Sequence, residues 1–375
     1  MKDRLSAVSL FAGAGGMDIG AIQAGFDLHA CIEIDPYACA TLRTNRDNEH
    51  RRTTVLERDV RTVDPLELAS QIAIEPGSLS LLMGGPPCQT FSQIGKQAGI
   101  TDERGLLLFE MVRFASALLP HTILVENVKG LLSAKGHKEI PGEVFALLVH
   151  EFEKIGYDVH WQVMNAASFG AAELRERVFI VATRDGLGFE FPQPSHARDG
   201  CSNSLFSLLP FATVGDAIAG LDEPSQKGKS LRTDSHVDVT PAGDRARIKG
   251  VPEGGFLAAQ LHLPVEQRKN LQRKDTTKFL RTSRSSPSNT LRCGEIFFHP
   301  TEDRYLTPRE YMRIHGFPDE YVLRGPIRGR SGSVRNLDQH RQVANSVVPP
   351  VARAIATEIK KYLHAKNIRA VRISA

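Results

Sequence analysis

Seven short apolar runs alternate with helical stretches between residue 7 and about residue 185, and this alternation leaves the chain few folds. The runs are AVSLF (7–11), HACIEI (29–34), TTVLE (53–57), LSLLM (79–83), TILVEN (122–127), DVHWQVM (158–164) and VFIVAT (178–183). The clearest helical stretches lie at 17–25, 36–45, 105–119 and 142–155. Strands separated by helices pair in parallel, because the helix carries the chain back to the starting edge of the sheet. The pattern predicts an α/β fold, a doubly wound, mostly parallel sheet with helices on both faces. No obvious helix separates the last two runs, so one of them is a candidate antiparallel strand.

The chain of 375 residues is long enough for one large domain and a smaller one. From residue 186 to about 300 the sequence turns rich in Gly, Pro, Ser and Arg and loses its long periodic stretches. Regular patterning returns at LTPREYMRIHGF (306–317) and in a final helix at about 349–364. The expected division is residues 1–185, then a loop-rich domain over 186–300, then a C-terminal segment 301–375 whose last helix returns to the first domain.

Hydrophobic residues make up 41% and charged residues 24%, and no apolar run approaches the roughly 18 residues of a membrane span. MKDRLSAVSLF holds too short an apolar segment for a secretory signal. The five cysteines, at 31, 39, 88, 201 and 293, form no CxxC pair, which argues against a disulfide framework or a zinc site and for a reducing compartment. A net charge of +4 is weak support for a polyanionic partner. Residues 265–284 concentrate Lys and Arg against two acids, Glu266 and Asp275. Such a run suits a solvated helix face as well as a phosphate-contacting surface.

SLFAGAGGMDIGAIQAGF (9–26) reads as strand, glycine-rich turn and helix. Gly13, Gly15 and Gly16 let a ligand approach the backbone at the helix N-terminus. A dinucleotide fingerprint needs a third glycine at position 18, where Asp18 stands, so a pyrophosphate would meet a carboxylate. Glu33, twenty residues after Gly13, ends the next strand and suits a ribose diol. Asp59 follows the third strand and could accept from an exocyclic adenine amine. The set fits an adenosine cofactor without phosphates and points to S-adenosyl-L-methionine.

In LLMGGPPCQTFSQIG (81–95), Gly84-Gly85 end a strand and Pro86-Pro87 stiffen the backbone before Cys88. Open α/β sheets display reactive groups at such strand ends, although a lone cysteine is also commonly a buried structural thiol. Glu126 and Asn127 close the fifth run in VENV. A carboxyl there, after three apolar residues, is partly desolvated and drawn toward neutrality, or else a surface group at a strand end.

FAGAGG, EIDPYA, GGPPCQTFS, VENV, RERVFIVATR, LTPRE followed by RIHGFPD, and QVANSVVPP occur in the order seen in DNA (cytosine-5)-methyltransferases, which this chain resembles from residue 9 to about 355. The Pro-Cys-Gln turn followed 38 residues later by Glu-Asn-Val is the most specific part. The resemblance implies a Rossmann-like catalytic domain and a smaller target-recognition domain. It implies methyl transfer from S-adenosyl-L-methionine to carbon 5 of a flipped-out cytosine in double-stranded DNA. Cys88 is implied as the nucleophile adding to carbon 6, and Glu126 as the group that draws the ring toward protonation at N3. Arg177, with Arg175, matches arginines that bind the target base and order the site.

Phe11, Gly13, Gly15, Glu33, Asp59, Pro87 and Asn345 match cofactor-binding positions. Gln89, Ser92, Lys96 and Arg104 fall in a segment resembling the mobile loop that closes over the base, and Thr290 matches a DNA-facing threonine. The resemblance also implies a monomer in the bacterial cytoplasm, bound to the nucleoid rather than to a membrane. A cognate restriction endonuclease would act separately.

Two positions depart from the pattern. Ala172-Glu173 replaces the usual Pro-Gln before the arginine pair, placing a carboxylate where it would weaken DNA binding, and Ala344 stands where glycine is common. An NAD-dependent dehydrogenase would share the sheet and Glu33 but lacks its third glycine. A non-catalytic DNA-binding module needs neither Cys88 nor Glu126. The tRNA-methylating branch of the family typically carries Cys-Phe-Thr where this chain has Cys-Gln-Thr.

Overall fold

The protein is described from a computed structural model covering residues 5–87, 106–136, 139–186, 188–200, 207–226, 234–257, 264, 279–328 and 336–366. It divides into two units: Met1–Asn165 with Glu176–Gln193 and Pro349–Ala375, and Ala166–Arg175 with Pro194–Val348.

All seven apolar runs are strands of one sheet in the first unit. They are β1 (Leu5–Leu10), β2 (Phe26–Glu33), β3 (Thr54–Glu57), β4 (Leu81–Gly84), β5 (Thr122–Val128), β6 (Asp158–Asn165) and, after the two-residue strand β7 (Glu173–Leu174) of the second unit, β8 (Glu176–Thr183). The order is β3-β2-β1-β4-β5-β8-β6. β1 to β5 pair in parallel, and β8 runs antiparallel to both β5 and β6. Every residue of β1 and β4 is buried, as strands covered on both faces must be. Edge strand β6 instead exposes Trp161 and Gln162.

Winding starts at β1 and proceeds outward in both directions, so strand order reverses between β1 and β4. Leu10 and Gly84 are register partners there, and the glycine turn after β1 leaves the sheet beside the proline turn after β4. A Cβ on Gly84 would stand 2.8 Å from both the Leu10 carbonyl oxygen and Met111 Sδ, so no larger residue fits.

The helices of this unit are α1 (Gly16–Ala24), α2 (Pro36–Asn48), α3 (Pro65–Gln71), α4 (Leu106–Leu118), α5 (Glu143–Lys154) and α10 (Pro349–Ala365), with α6 to α9 in the second unit. Asp35 and Asp64 cap α2 and α3, each followed by proline at the first helical position. One face of the sheet packs on α4 and α5 through Phe114, Leu148 and Phe152, all fully buried. Each such side chain contributes about 1.5–3 kcal/mol. α10 packs on α1, where Lys360 Nζ donates to the Ala24 carbonyl at 2.9 Å.

Among the described residues the second unit has little regular structure: α6 (Val214–Ile218), α7 (Ala242–Ile248), α8 (Pro308–His315), α9 (Gln339–Asn345) and a few two-residue strands. A small apolar cluster of Ile248, Val251, Leu257, Phe298 and Tyr305 forms one core. Buried arginines carry much of the rest by donating to loop carbonyls that no strand partner satisfies. Arg309 donates to the carbonyls of Asp234, Asp319 and Tyr321 at 2.6, 2.8 and 3.1 Å. Arg304 makes a two-pronged contact with Glu310 at 2.8 and 2.9 Å.

These units do not follow the expected boundaries. Ala166–Arg175 leaves the sheet after β6 and joins the second unit, because β7 pairs with Ser288–Asn289. Residues 301–348 also belong to that unit, and 186–193 to the first.

In an ordinary helix interior, alanine is favoured over glycine by about 1 kcal/mol. At Gly20 the added Cβ would lie 2.5 Å from both Ala352 Cβ and the Arg353 nitrogen. Gly20→Ala should therefore destabilise the protein by about 1–3 kcal/mol in urea unfolding, and a gain in stability would contradict the α1–α10 packing.

Candidate active site

The nucleoside half of the site is built on the ends of β1, β2 and β3. Phe11, Gly13 and Gly15 all take positive φ, at 53°, 55° and 81°. Phe11 is held there by packing against the core beneath the sheet. The Glu33 carboxylate accepts three backbone N–H groups: Gly13 at 2.7 Å on Oε2, and Ile34 and Asp35 at 2.8 Å each on Oε1. It thus ties the glycine turn to the end of β2. Burial pushes its pKa up, against the opposing pull of those three donors. A carboxylate offers about four acceptor sites, so one remains for a further donor such as a hydroxyl. A Cβ on Gly13 would meet no atom within 4 Å, so the turn borders open space.

Asp59 caps a 3₁₀ turn at Val60–Thr62 and is ion-paired with Arg61 at 2.6 Å. An adenine amine there would share the carboxylate with a guanidinium, a competitor the sequence did not reveal. Arg113 of α4 fixes the turn from behind, donating to the carbonyls of Val60 and Val63 at 2.8 and 3.1 Å.

Asp18 differs from its expected part. It is 3% exposed and contacts Cys31 Sγ at 3.5 Å, so its carboxyl faces the interior between β1 and β2. Burial pushes its pKa up to about 6, against Ser9, Cys31 and Arg51. The case against a pyrophosphate rests on the missing glycine, not on repulsion by this group. An acidic strand end beside a roomy glycine turn fits S-adenosyl-L-methionine, whose ribose donates and which bears no phosphate.

The second group of candidate residues lies at the ends of β4 and β5. Pro86 is buried and Pro87 exposed. Asn127, 2% exposed, donates from Nδ2 to the Pro86 carbonyl at 3.1 Å and accepts the Val128 N–H on Oδ1 at 2.9 Å. Its amide fastens the end of β5 to the turn two residues before position 88. Cys88, Gln89, Ser92, Lys96 and Arg104 lie outside the described residues, as does most of the basic run 265–284.

The antiparallel register sets Glu126 opposite Phe179, which makes Arg177 its diagonal neighbour. Arg177 Nε lies 3.1 Å from Glu126 Oε1, with side-chain exposures of 18% and 12%. Glu126 is thus shielded and ion-paired, where the sequence left a desolvated group and a surface carboxylate both open.

The remaining expected residues lie in the second unit. Arg175 is separated from Arg177 in role: it is 4% exposed and donates to the carbonyls of Ala344, Ser346 and Leu291 at 2.9, 3.3 and 3.4 Å. It orders backbone in this structure. Thr290 Oγ1 donates to the Leu174 carbonyl at 2.7 Å. Asn345 is exposed between buried neighbours and contacts Cys293 Sγ through its own Oδ1.

Glu173, the carboxylate that departs from the usual Pro-Gln, has partners within the protein. It is fully buried, accepts the Leu291 N–H at 2.8 Å, and meets His315 Nδ1 at 2.6 Å. Burial pushes its pKa up, but the His315 charge and hydrogen bond, with Arg175 and the Leu291 N–H, hold it below the usual value. His315 and Arg113 were missed because their partners are remote in sequence.

A carboxyl with a lowered folded pKa stabilises the fold above its unfolded pKa of about 4.5 and loses that contribution as pH falls through the folded value. The stability of wild type relative to Glu173→Gln should therefore fall on acidification below about pH 4.5 in urea titrations. A relative gain in acid would contradict the buried ion pair.

The family profile described as C-5 cytosine-specific DNA methylase matches residues 5–361. A type II methyltransferase of Psychrobacter sp., M.PspPI, is 35% identical over 96% of this chain and 80% of its own. M.FnuDI of Fusobacterium nucleatum is 29% identical over 97% of this chain and 96% of its own. Among solved structures, a putative DNA modification methyltransferase from an Escherichia coli prophage superposes with a TM-score of 0.69 at 22% identity, covering 96% of this chain and 99% of that one. The last likeness concerns fold, whereas profile and sequence relatives concern kinship. The chain belongs to the C-5 cytosine-specific DNA methylases, enzymes that transfer a methyl group from S-adenosyl-L-methionine to cytosine in DNA.

Proposed function

We propose that this enzyme methylates carbon 5 of a cytosine flipped out of a short double-stranded DNA sequence, through a transient bond between Cys88 and carbon 6. The observation that carries the reading is the shielded Glu126–Arg177 pair, with the neighbouring Asn127 bound to the turn that leads into Cys88.

Carbon 5 of cytosine is a weak nucleophile. Addition of the Cys88 thiolate to carbon 6 pushes electrons toward carbon 5, and Glu126, held by Arg177, lets N3 take up a proton as that charge develops. Bound S-adenosyl-L-methionine supplies an electrophilic methyl group. After carbon 5 has been methylated, loss of its proton restores the ring and expels the thiolate. Glu33 and Asp59 hold the nucleoside of the cofactor with Phe11, Gly13, Gly15 and Pro87, and Asn345 is assigned to the cofactor as well. A base stacked inside a duplex offers neither face to a thiol, hence the flipping.

Gln89, Ser92, Lys96, Arg104 and Thr290 are assigned to DNA. The enzyme acts as a monomer in the cytoplasm, associated with the nucleoid, and protects sites that a separate restriction endonuclease cleaves. The type II relatives support that context. Among the described residues no helix is long and apolar enough to cross a membrane.

DNA carrying 5-fluorocytosine cannot lose its substituent at carbon 5, so it should trap a covalent complex whose peptide map places the link on Cys88. A link elsewhere, or none, overturns the mechanism. Cys88→Ser should abolish transfer while leaving S-adenosylhomocysteine affinity intact in calorimetry. Glu126→Gln should lower kcat by about 10²–10⁴-fold. Asn127→Ala, by loosening the turn, should lower kcat by up to about 10²-fold with little change in cofactor KM. Bisulfite sequencing of DNA from expressing cells reads the target sequence.

A further inference from the structure

The backbone on both sides of Asn345 is gripped by a buried cluster whose acid and imidazole have no part in the mechanism above. Residues 338–344 and 346–349 are buried, and Asn345 alone among them is exposed. Arg175 donates to the Ala344 carbonyl at 2.9 Å and to the Ser346 carbonyl at 3.3 Å. The Ser346 oxygen also receives His315 Nε2 at 3.0 Å, while His315 Nδ1 lies 2.6 Å from Glu173 Oε2. The other Glu173 oxygen accepts the Leu291 N–H, next to Thr290.

The proton count of this chain is restrictive. His315 stands between two acceptors, a carbonyl and a carboxyl oxygen, and neutral imidazole carries hydrogen on one nitrogen only. The pair therefore needs one more proton, on the ring or on Glu173. Arg175, 3.5 Å from Glu173, favours the charged carboxylate, so the hydrogen-bond count places the extra proton on the ring. Both residues are fully buried, so water does not substitute for a lost donor.

We propose that Glu173 and His315 are positioning residues, a buried carboxylate–imidazolium pair that fixes the backbone around Asn345 and so sets the direction of its exposed side chain. This rests on the assignment of Asn345 to the cofactor. It also gives Glu173, the departure from the family's Pro-Gln, a partner in place of a defect.

The test compares full-length N345A, E173Q, H315Q and the double variant E173Q/H315Q. Readouts are S-adenosylhomocysteine affinity, cofactor KM, kcat, and the ¹⁵N resonances of His315. In H315Q both N–H donors sit on one nitrogen and do not span the two acceptors that the ring's Nδ1 and Nε2 reach, so the Ser346 carbonyl loses a donor. Cofactor Kd and KM should rise about tenfold with kcat little changed. In the double variant, the new amide at position 173 accepts from the Leu291 N–H and donates to the amide oxygen at position 315. The amide nitrogen at position 315 in turn donates to the Ser346 carbonyl. That restored chain should bring Kd back to within about threefold of wild type, a rescue that lost packing alone does not give. In E173Q a neutral ring suffices, so the His315 resonances should change from the imidazolium to the neutral pattern.

Should H315Q fail to fold, the double variant and the E173Q spectrum decide the matter. A double variant as weak in cofactor binding as N345A, or a neutral ring in wild type at pH 7, overturns the proposal. If N345A weakens cofactor binding and a folded H315Q does not, the pair fails while the Asn345 assignment stands. If N345A binds cofactor normally, that assignment falls and the proposal with it.

Discussion

The reversal of strand order between β1 and β4 governs where chemistry can occur in the first unit. Because Leu10 and Gly84 are partners in register, two turns of opposite character emerge side by side: a glycine turn with room for a ligand and a proline turn without freedom to move. The crevice outside such a reversal is the usual ligand site of open α/β sheets. Gly84 keeps the two turns close, since any side chain there would collide with the Leu10 carbonyl. Glu33 and Asn127 act on this arrangement in the same way. Each is a buried or nearly buried acceptor or amide whose partners are backbone groups of a neighbouring turn. The shape of the crevice is thus set by main chain, and side chains hold that main chain in place.

The strands, the antiparallel exception and the acidic strand ends were legible in the sequence because each depends on local pattern. Periodicity reveals a buried strand, and a carboxyl after an apolar run reveals a strand end. What the sequence hid depends on distance along the chain. Glu173 and His315 are separated by 142 residues, and Arg113 and Val60 by 53. Nothing local marks such pairs. Asp18 shows a different failure: residue type was read as charge facing a ligand, whereas the helix turned that side chain into the interior. Arg175 and Arg177 show how sharply neighbouring positions divide. Arg175 and Arg177 are two apart in sequence, yet one orders buried backbone in the second unit and the other pairs with Glu126 in the first.

The two units solve the problem of backbone polarity differently. In the first, strand ladders satisfy N–H and C=O groups, and apolar packing supplies the stability. In the second, the strands among the described residues are two residues long, and arginine, histidine and capping side chains take over that duty. A loop-built unit of this kind can change the course of its loops without dismantling a sheet. Its cost is that each buried donor is hard to replace, since an orphaned carbonyl or carboxylate costs about 1–3 kcal/mol or more.

The seating of α10 on α1 has a consequence for how the protein is made. Ala24 leaves the ribosome long before Pro349 is synthesised, and at about 5–20 residues per second the interval is roughly 16–65 s. Throughout that time the Gly20 face of α1 lacks its cover, so the nascent sheet is incomplete on one side. A chain broken off before α10 would keep that apolar surface bare and be open to chaperones and proteases. Synthesis of α10 thus acts as a checkpoint: only a copy that carries this helix hides the exposed face of α1.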